Sequence, residues 1–128
     1  MDTKEKKIFV ADDDADILDI ISMMLETQGY KVITNSKAKD ILEYIKTELP
    51  DLILLDIWMS GLDGRTICGQ LKSNNLTKDI PVIFISANSN IKEITKEYNA
   101  HGFISKPFEM NYLFNVVNDN LHNSLNLN

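Results

Sequence analysis

Cysteine is almost missing from this chain. Cys68 stands alone among 128 residues, so no intramolecular disulfide can staple the fold. Between Ile67 and Leu71 it reads as a small buried apolar residue rather than a reactive thiol. Histidine is as scarce: His101 falls in a loop and His122 in the polar tail HNSLNLN, and with no ligand partner nearby neither suggests zinc or acid–base catalysis. Three prolines and five glycines leave no room for a low-complexity linker, and no internal repeat is visible. No apolar run approaches the roughly 20 residues of a membrane span. The polar start MDTKEKK leads into a four-residue apolar run, too short for a signal-peptide core. Positive charge is in deficit, with 13 Lys and Arg against 19 Asp and Glu, a net charge of -6 and a pI near 4.8. Binding nucleic acid or an anionic membrane surface needs a clustered positive field, so direct contact with either is not expected. The expected compartment is the cytoplasm.

What the chain does have is 44% apolar residues, enough over 128 residues for one core and one domain. A single domain is expected over 1–128, with a core of about 6–122 and a polar tail at 123–128. Short apolar runs alternate with amphipathic segments five times. Ile8–Ala11, Val32–Thr34, Leu52–Leu55, Val82–Ile85 and Phe103–Ile104 are apolar without alternation, as strands covered on both faces should be. Between them, Ile17, Ile20, Ile21, Met24 and Leu25 recur at helical spacing before Gly29, which reads as the C-terminal cap. A second stripe is Ala38, Ile41, Leu42, Ile45 and Leu49, with Ser36 as the expected N-cap and Pro50 as the stop. Ile67, Cys68 and Leu71 follow Gly64 as a third. Ile91, Ile94 and Tyr98 make a thin fourth, and Met110, Leu113, Phe114, Val117 and Leu121 a strong fifth. Strand–helix alternation with short loops predicts an open doubly wound α/β domain, because right-handed crossovers place helices on both sheet faces.

Five polar residues stand where apolar runs stop: Asp12 and Asp13 after IFVA, Asp56 after LILL, Ser86 after VIFI and Lys106 after GFIS. In a parallel sheet those ends share one edge, so residues distant in sequence come within reach of one another. Helix capping accounts for Asp14 or Asp16, but one cap needs one such residue. Two carboxylates at the end of a buried strand are costly, which favours metal ligation for Asp12 and Asp13. Asp56 precedes the loop IWMSGLDG, where a neutral turn residue would serve a structural role better. Ser86 or Lys106 alone would be unremarkable; their value is in the set. Oxygen ligands without His or Cys favour Mg2+ over Zn2+. A carboxylate nucleophile, a divalent ion, a hydroxyl and an ammonium are what accepting a phosphoryl group requires.

IFVADDDADIL, DLILLDIWMSGLDG, PVIFISA and GFISKPF closely resemble, in order, the four signature blocks of bacterial two-component response-regulator receiver domains. The resemblance implies a flavodoxin-like (βα)5 three-layer sandwich with strand order 2-1-3-4-5. It implies that Asp56 is the phosphoacceptor, that Asp13, Asp56 and the backbone carbonyl of Trp58 hold Mg2+, and that Asp12 acts through metal-bound water. Ser86 and Lys106, helped by the Ala87 amide, would contact the phosphoryl oxygens. The Lys106–Pro107 bond would be cis. Phe103 occupies the position of the aromatic switch, while Trp58 and Asn88 would modulate the chemistry. Two departures stand out: Ser60 where the family usually has proline, and Trp58, bulkier than the usual residue. The implied protein is no general enzyme and catalyses only its own phosphorylation and dephosphorylation. Its donor would be a histidine kinase or phosphotransfer protein, and its output an unknown partner reading the fourth helix, fifth strand and fifth helix, with or without phosphorylation-dependent dimerisation. Other readings fare less well. A haloacid dehalogenase-type hydrolase needs Asp at position 58, and DDDAD would repel a flavin phosphate. An unphosphorylated interaction module is opposed by the intact site, whereas a receiver cut from a longer hybrid kinase or regulator stays open.

Overall fold

The computed structural model describes residues 5–36, 40–59 and 61–126. Its elements run β1 (Lys7–Ala11), α1 (Ala15–Glu26), β2 (Lys31–Asn35), α2 (Ile41–Glu48), β3 (Leu52–Asp56), β4 (Trp58–Met59), β5 (Leu62–Asp63), α3 (Gly64–Lys72), β6 (Val82–Ser86), α4 (Ile91–Glu97), β7 (Gly102–Ser105) and α5 (Met110–Asn126). The five long strands form one parallel sheet in the order β2-β1-β3-β6-β7, and β4 and β5 pair separately as a small antiparallel hairpin. With the hairpin set aside, this is the expected 2-1-3-4-5 order.

Alternate residues of each central strand feed opposite cores, which explains why the strand sequences are apolar throughout. Phe9, Ile53, Leu55, Val82 and Phe84 pack with Ile41 and Ile45 of α2, Ile67, Cys68 and Leu71 of α3, and Ile91 and Ile94 of α4. Ile8, Val10, Leu52, Leu54, Ile83 and Ile85 pack with Leu18, Ile21 and Leu25 of α1 and Leu113, Val117 and Leu121 of α5. The result is the three-layer sandwich expected of a doubly wound chain. Every residue of β3 and β6 is buried, whereas β2 at the sheet edge has none buried. Full burial of one large aliphatic side chain contributes about 1.5–3 kcal/mol, so the central strands anchor the sheet edge on which the polar residues sit.

The structure corrects several helix expectations. In α1 the buried stripe is Leu18, Ile21 and Leu25, while Ile20 is 44% exposed; the apolar surface of this helix is wider than its buried face. Asp14 starts it, accepting hydrogen bonds from the Asp16 and Ile17 amides. Gly29 lies beyond the capping residue Thr27 and has φ 88°, the left-handed turn that lets the chain enter β2. Asp40 rather than Ser36 sits at the N-cap of α2, with φ 57° and no side-chain cap; Ala38 lies outside the described residues. Leu49 is turned to solvent, because the helix stops there in a left-handed residue before Pro50. Met110 is exposed as well. His101 is a loop residue as expected, yet its Nδ1 accepts the Val82 amide at 3.2 Å. Ser60 and the side chains of residues 122–128 lie outside the described set.

One glycine determines how closely α3 approaches β3. A Cβ on Gly64 would stand 2.2 Å from the Asp56 carbonyl oxygen, so α3 can begin against the end of β3 only without a side chain. Gly64→Ala should therefore destabilise the protein by about 1–3 kcal/mol, as an overpacked site does. Gly69→Ala, with nothing within 4 Å on an exposed helix face, should instead be neutral or stabilising by about 0.5–1 kcal/mol. Denaturant unfolding of the two variants checks this contrast; equal effects would contradict it.

Candidate functional site

Strand register brings the polar residues together. Ala11 pairs with Leu55 and Asp56 with Ile85, while Ser86 pairs with Ser105. Asp12, Asp56, Ser86 and Lys106 thus end neighbouring strands at the same edge. Asp56 and Ser86 are the last residues of their strands rather than the first residues beyond, one position further into the sheet than their sequence runs suggest. Both are buried, as is Asp12, and Asp13 is exposed. Carboxylate oxygens of Asp12, Asp13 and Asp56 all lie within 4.8 Å of one another, an all-oxygen set suited to a hard cation.

Lys106 crosses this cluster. Its Nζ donates to Asp12 Oδ2 at 2.7 Å and stands 3.7 Å from Asp56 Oδ2. The other Asp12 oxygen, Oδ1, accepts the Asp14 amide at 2.9 Å. The Lys106–Pro107 peptide bond is cis, and the Lys106 amide donates to the Ser86 carbonyl at 2.9 Å. Ser86 Oγ accepts the Asn88 amide at 3.0 Å, and Asn88 Oδ1 in turn accepts the Asn90 amide at 2.7 Å. A cleft lined by Asp56, Trp58, Ser86, Ala87, Asn88 and Lys106 opens above. Phe103 lies apart from that lining. It is half-buried, pairs in register with Phe84, and packs against the core shared by α2, α3 and α4.

Electrostatics set Asp56 apart. Burial and the neighbouring Asp12 charge push its pKa up to about 6, against the opposing pull of Lys106 and a hydrogen bond from the Trp58 amide, with Asp13 raising it further. Burial disfavours the charge on Lys106, but the hydrogen bond to Asp12 and the charges of Asp56, Asp12 and Asp14 outweigh it, so the ammonium is held above its ordinary value. The site thus keeps one firm positive charge beside a carboxyl group whose ionisation is easily altered.

Some functional features are not legible in the sequence. Gly64 reads there only as a helix start, and its contact with Asp56 emerges only from the strand–helix approach. The stacking of Arg65 on Trp58, with the guanidinium carbon 4.6 Å from the ring centroid, is equally hidden. The sole signal is an arginine two residues after Asp63, within reach of the only tryptophan.

A family model for the response regulator receiver domain matches residues 8–118. The chain belongs to that family. It is 37% identical over 105 residues to the alkaline phosphatase synthesis transcriptional regulatory protein PhoP of Bacillus subtilis, covering 80% of this chain and 43% of that protein. It is 36% identical over 110 residues to a probable transcriptional regulator, ycf27, of Porphyra purpurea, covering 84% of this chain and 44% of that one. The chain therefore spans less than half the length of these curated relatives. Among solved structures it resembles the receiver domain of NtrX from Brucella abortus, with a TM-score of 0.81, 33% identity, and 90% and 98% of the two chains covered. A CheY-like receiver domain protein from Methanospirillum hungatei shares the fold, with a TM-score of 0.87, 24% identity, and 98% and 100% covered.

The raised Asp56 pKa has a signed consequence. Between the ordinary carboxylate value and about 6 the folded state holds a proton that the unfolded state has lost, so ionising Asp56 costs stability as pH rises through that window. Because the cleft is open to water, the cost above pH 6 amounts to about 1–2 kcal/mol. Asp56→Asn should raise the melting temperature at pH 7 in a buffer without divalent ions, and its advantage over wild type should shrink as pH falls towards 4. Thermal melts across that range check it; an advantage independent of pH would contradict the assignment.

Proposed function

We propose that this domain is a phosphorylation-activated switch in which Asp56 accepts a phosphoryl group from a histidine kinase or histidine phosphotransfer protein. The observation that carries the reading is the close set of Asp12, Asp13 and Asp56 oxygens with the Lys106 ammonium 3.7 Å from Asp56, beside an open cleft. A carboxylate oxygen of Asp56 attacks phosphorus, the bond from phosphorus to the donor histidine nitrogen breaks, and an acyl phosphate forms. Asp13, Asp56 and the Trp58 carbonyl would hold Mg2+, with Asp12 acting through its water; the fact that both Asp12 oxygens already accept hydrogen bonds supports that indirect role. When bound, the ion supplies positive charge against the phosphoryl oxygens. Lys106 shifts from Asp12 towards the new group, and Ser86 Oγ, exchanging its bond from the Asn88 amide, donates to it, helped by the Ala87 amide. The domain catalyses only this step and its own dephosphorylation, in which water attacks phosphorus and releases inorganic phosphate.

The readout follows from packing. Phosphorylation adds a group of charge about -1.5 to -2 where Asp56 had one negative charge. Drawing Ser86 and Lys106 towards it pulls on the ends of β6 and β7, leaving room for Phe103 to move inward. α4, β7 and α5 are the elements that would change, and an unidentified output partner reads them. A phosphorylation-dependent dimer is one form of that readout. The cytoplasm is where such a donor would meet the domain. The greater length of PhoP and ycf27 supports a second reading, in which the same unit acts as the receiver part of a longer regulator.

Intact mass after incubation with Mg2+ and acetyl phosphate tests the chemistry. Wild type should gain one phosphoryl group only when Mg2+ is present, and Asp56→Asn should gain none. An adduct that persists in Asp56→Asn would overturn the assignment. Lys106→Ala should still take up phosphate while losing most of the hydrogen-exchange change in α4 and β7 on phosphorylation, because the charge linking the site to β7 is gone. Equal protection changes in the two proteins would count against Lys106 as the link.

A further inference from the structure

Trp58 lines the Asp56 cleft although it is 53% exposed and sits on a hairpin of two-residue strands. A ring this exposed is only partly held by the residues beneath it. Arg65 supplies the missing constraint. Its guanidinium carbon lies 4.6 Å from the Trp58 ring centroid and 5.9 Å from the Tyr98 ring centroid. Asp63 locks the fork in turn: Nε is 3.0 Å from both carboxylate oxygens and Nη2 is 2.7 Å from Oδ2. Asp63 is itself fixed twice over, as the cross-strand partner of Trp58 and as the N-cap of α3, accepting the Arg65 amide at 2.9 Å. A planar guanidinium held this way loses little further freedom when it stacks.

We propose that Arg65 is a positioning residue that holds the Trp58 ring as a wall of the Asp56 cleft and thereby lengthens the life of the phosphoryl group. This rests on Asp56 being the acceptor. Loss of the group requires water to reach phosphorus and the bond to the Asp56 oxygen to break, with inorganic phosphate leaving and the carboxylate restored. A fixed aromatic wall limits that approach. The same row, Trp58–Arg65–Tyr98, ends on the residue that caps α4. The lifetime of the phosphoryl group is thereby tied to how α4 sits against α3.

The test uses the full chain as wild type, Arg65→Gln, Trp58→Ala and the double variant. Trp58 is the only tryptophan, so acrylamide quenching of its fluorescence without any phosphodonor reads the restraint on the ring directly. Quenching should increase in Arg65→Gln. After loading with acetyl phosphate and Mg2+ and removing the donor, intact mass follows the decay of the phosphoryl group. Decay should quicken about threefold in Arg65→Gln, the size of change that one exposed cation–π contact can carry. Arg65→Gln should add nothing when Trp58 is already alanine, an outcome that general destabilisation would not give. Unchanged quenching, unchanged decay, or the same acceleration in both backgrounds would each overturn the proposal. A wild type that takes up no phosphoryl group would remove the Asp56 reading and the lifetime role with it, whereas phosphorylation with unchanged decay removes the Arg65 role alone.

Discussion

Lys106 has to reach across the sheet edge from the end of β7 to the loop after β1, because Asp12 is only 1% exposed and its charge needs a partner. The surrounding architecture serves that ion pair. Leaving a buried carboxylate without a counter-charge costs several kcal/mol, and like charges a few ångströms apart add about 1 kcal/mol per pair even where water reaches them. One ammonium lying 2.7 Å from Asp12 and 3.7 Å from Asp56 therefore makes a three-carboxylate edge tolerable. It also leaves that edge poised, since Asp56 receives the weaker share of the compensation.

That imbalance connects stability to signalling. A site built only for stability would pair each buried acid fully; here Asp56 stays partly uncompensated, with burial as the largest cause of its raised pKa. A cation or a phosphoryl group can alter the balance because Lys106 has two acceptors to choose between. Movement of Lys106 or Ser86 is felt at once in the sheet, since the Lys106 amide is bonded to the Ser86 carbonyl and Ser86 pairs with Ser105. On the far side of β7, the Tyr112 hydroxyl donates to the Phe103 carbonyl at 3.2 Å, which joins α5 to the same strand. These are short, direct links between the site and the proposed output surface.

The loop between β3 and α3 carries the second set of constraints on the site. Gly64 lets the helix start against the Asp56 carbonyl, its amide donating to the Ile57 carbonyl at 2.6 Å, so the hairpin that carries Trp58 is pinned close to Asp56. Arg65 and Asp63 then set where the ring stands. Arg65 and Asp63 make none of the contacts that hold Asp12 and Lys106 together, so the proposed role of the ring is separable from the acid cluster.

The chain's local pattern was sufficient to read the five long strands, the parallel sheet and the polar residues at the strand ends, because the central strands, buried on both faces, are apolar almost to their last residue; the edge strand β2 matched the apolar pattern although none of its residues is buried. The four signature blocks supplied the expected roles of Asp56, Ser86 and Lys106 by resemblance, and the structure brings those three residues to one sheet edge. Helix faces were harder to read: Ile20 and Leu49 are apolar but exposed, and Leu18 is buried, because periodicity shows that an apolar stripe exists without showing which part of it meets the sheet. What the tertiary structure alone decided is which partner each site residue takes. Lys106 chooses Asp12 over Asp56 from 94 positions away, Gly64 touches the Asp56 backbone, and Arg65 reaches the rings of both Trp58 and Tyr98. Each of these depends on strand order and on how closely elements approach, and distances between elements are set by the packing of the whole core rather than by any segment's own residues.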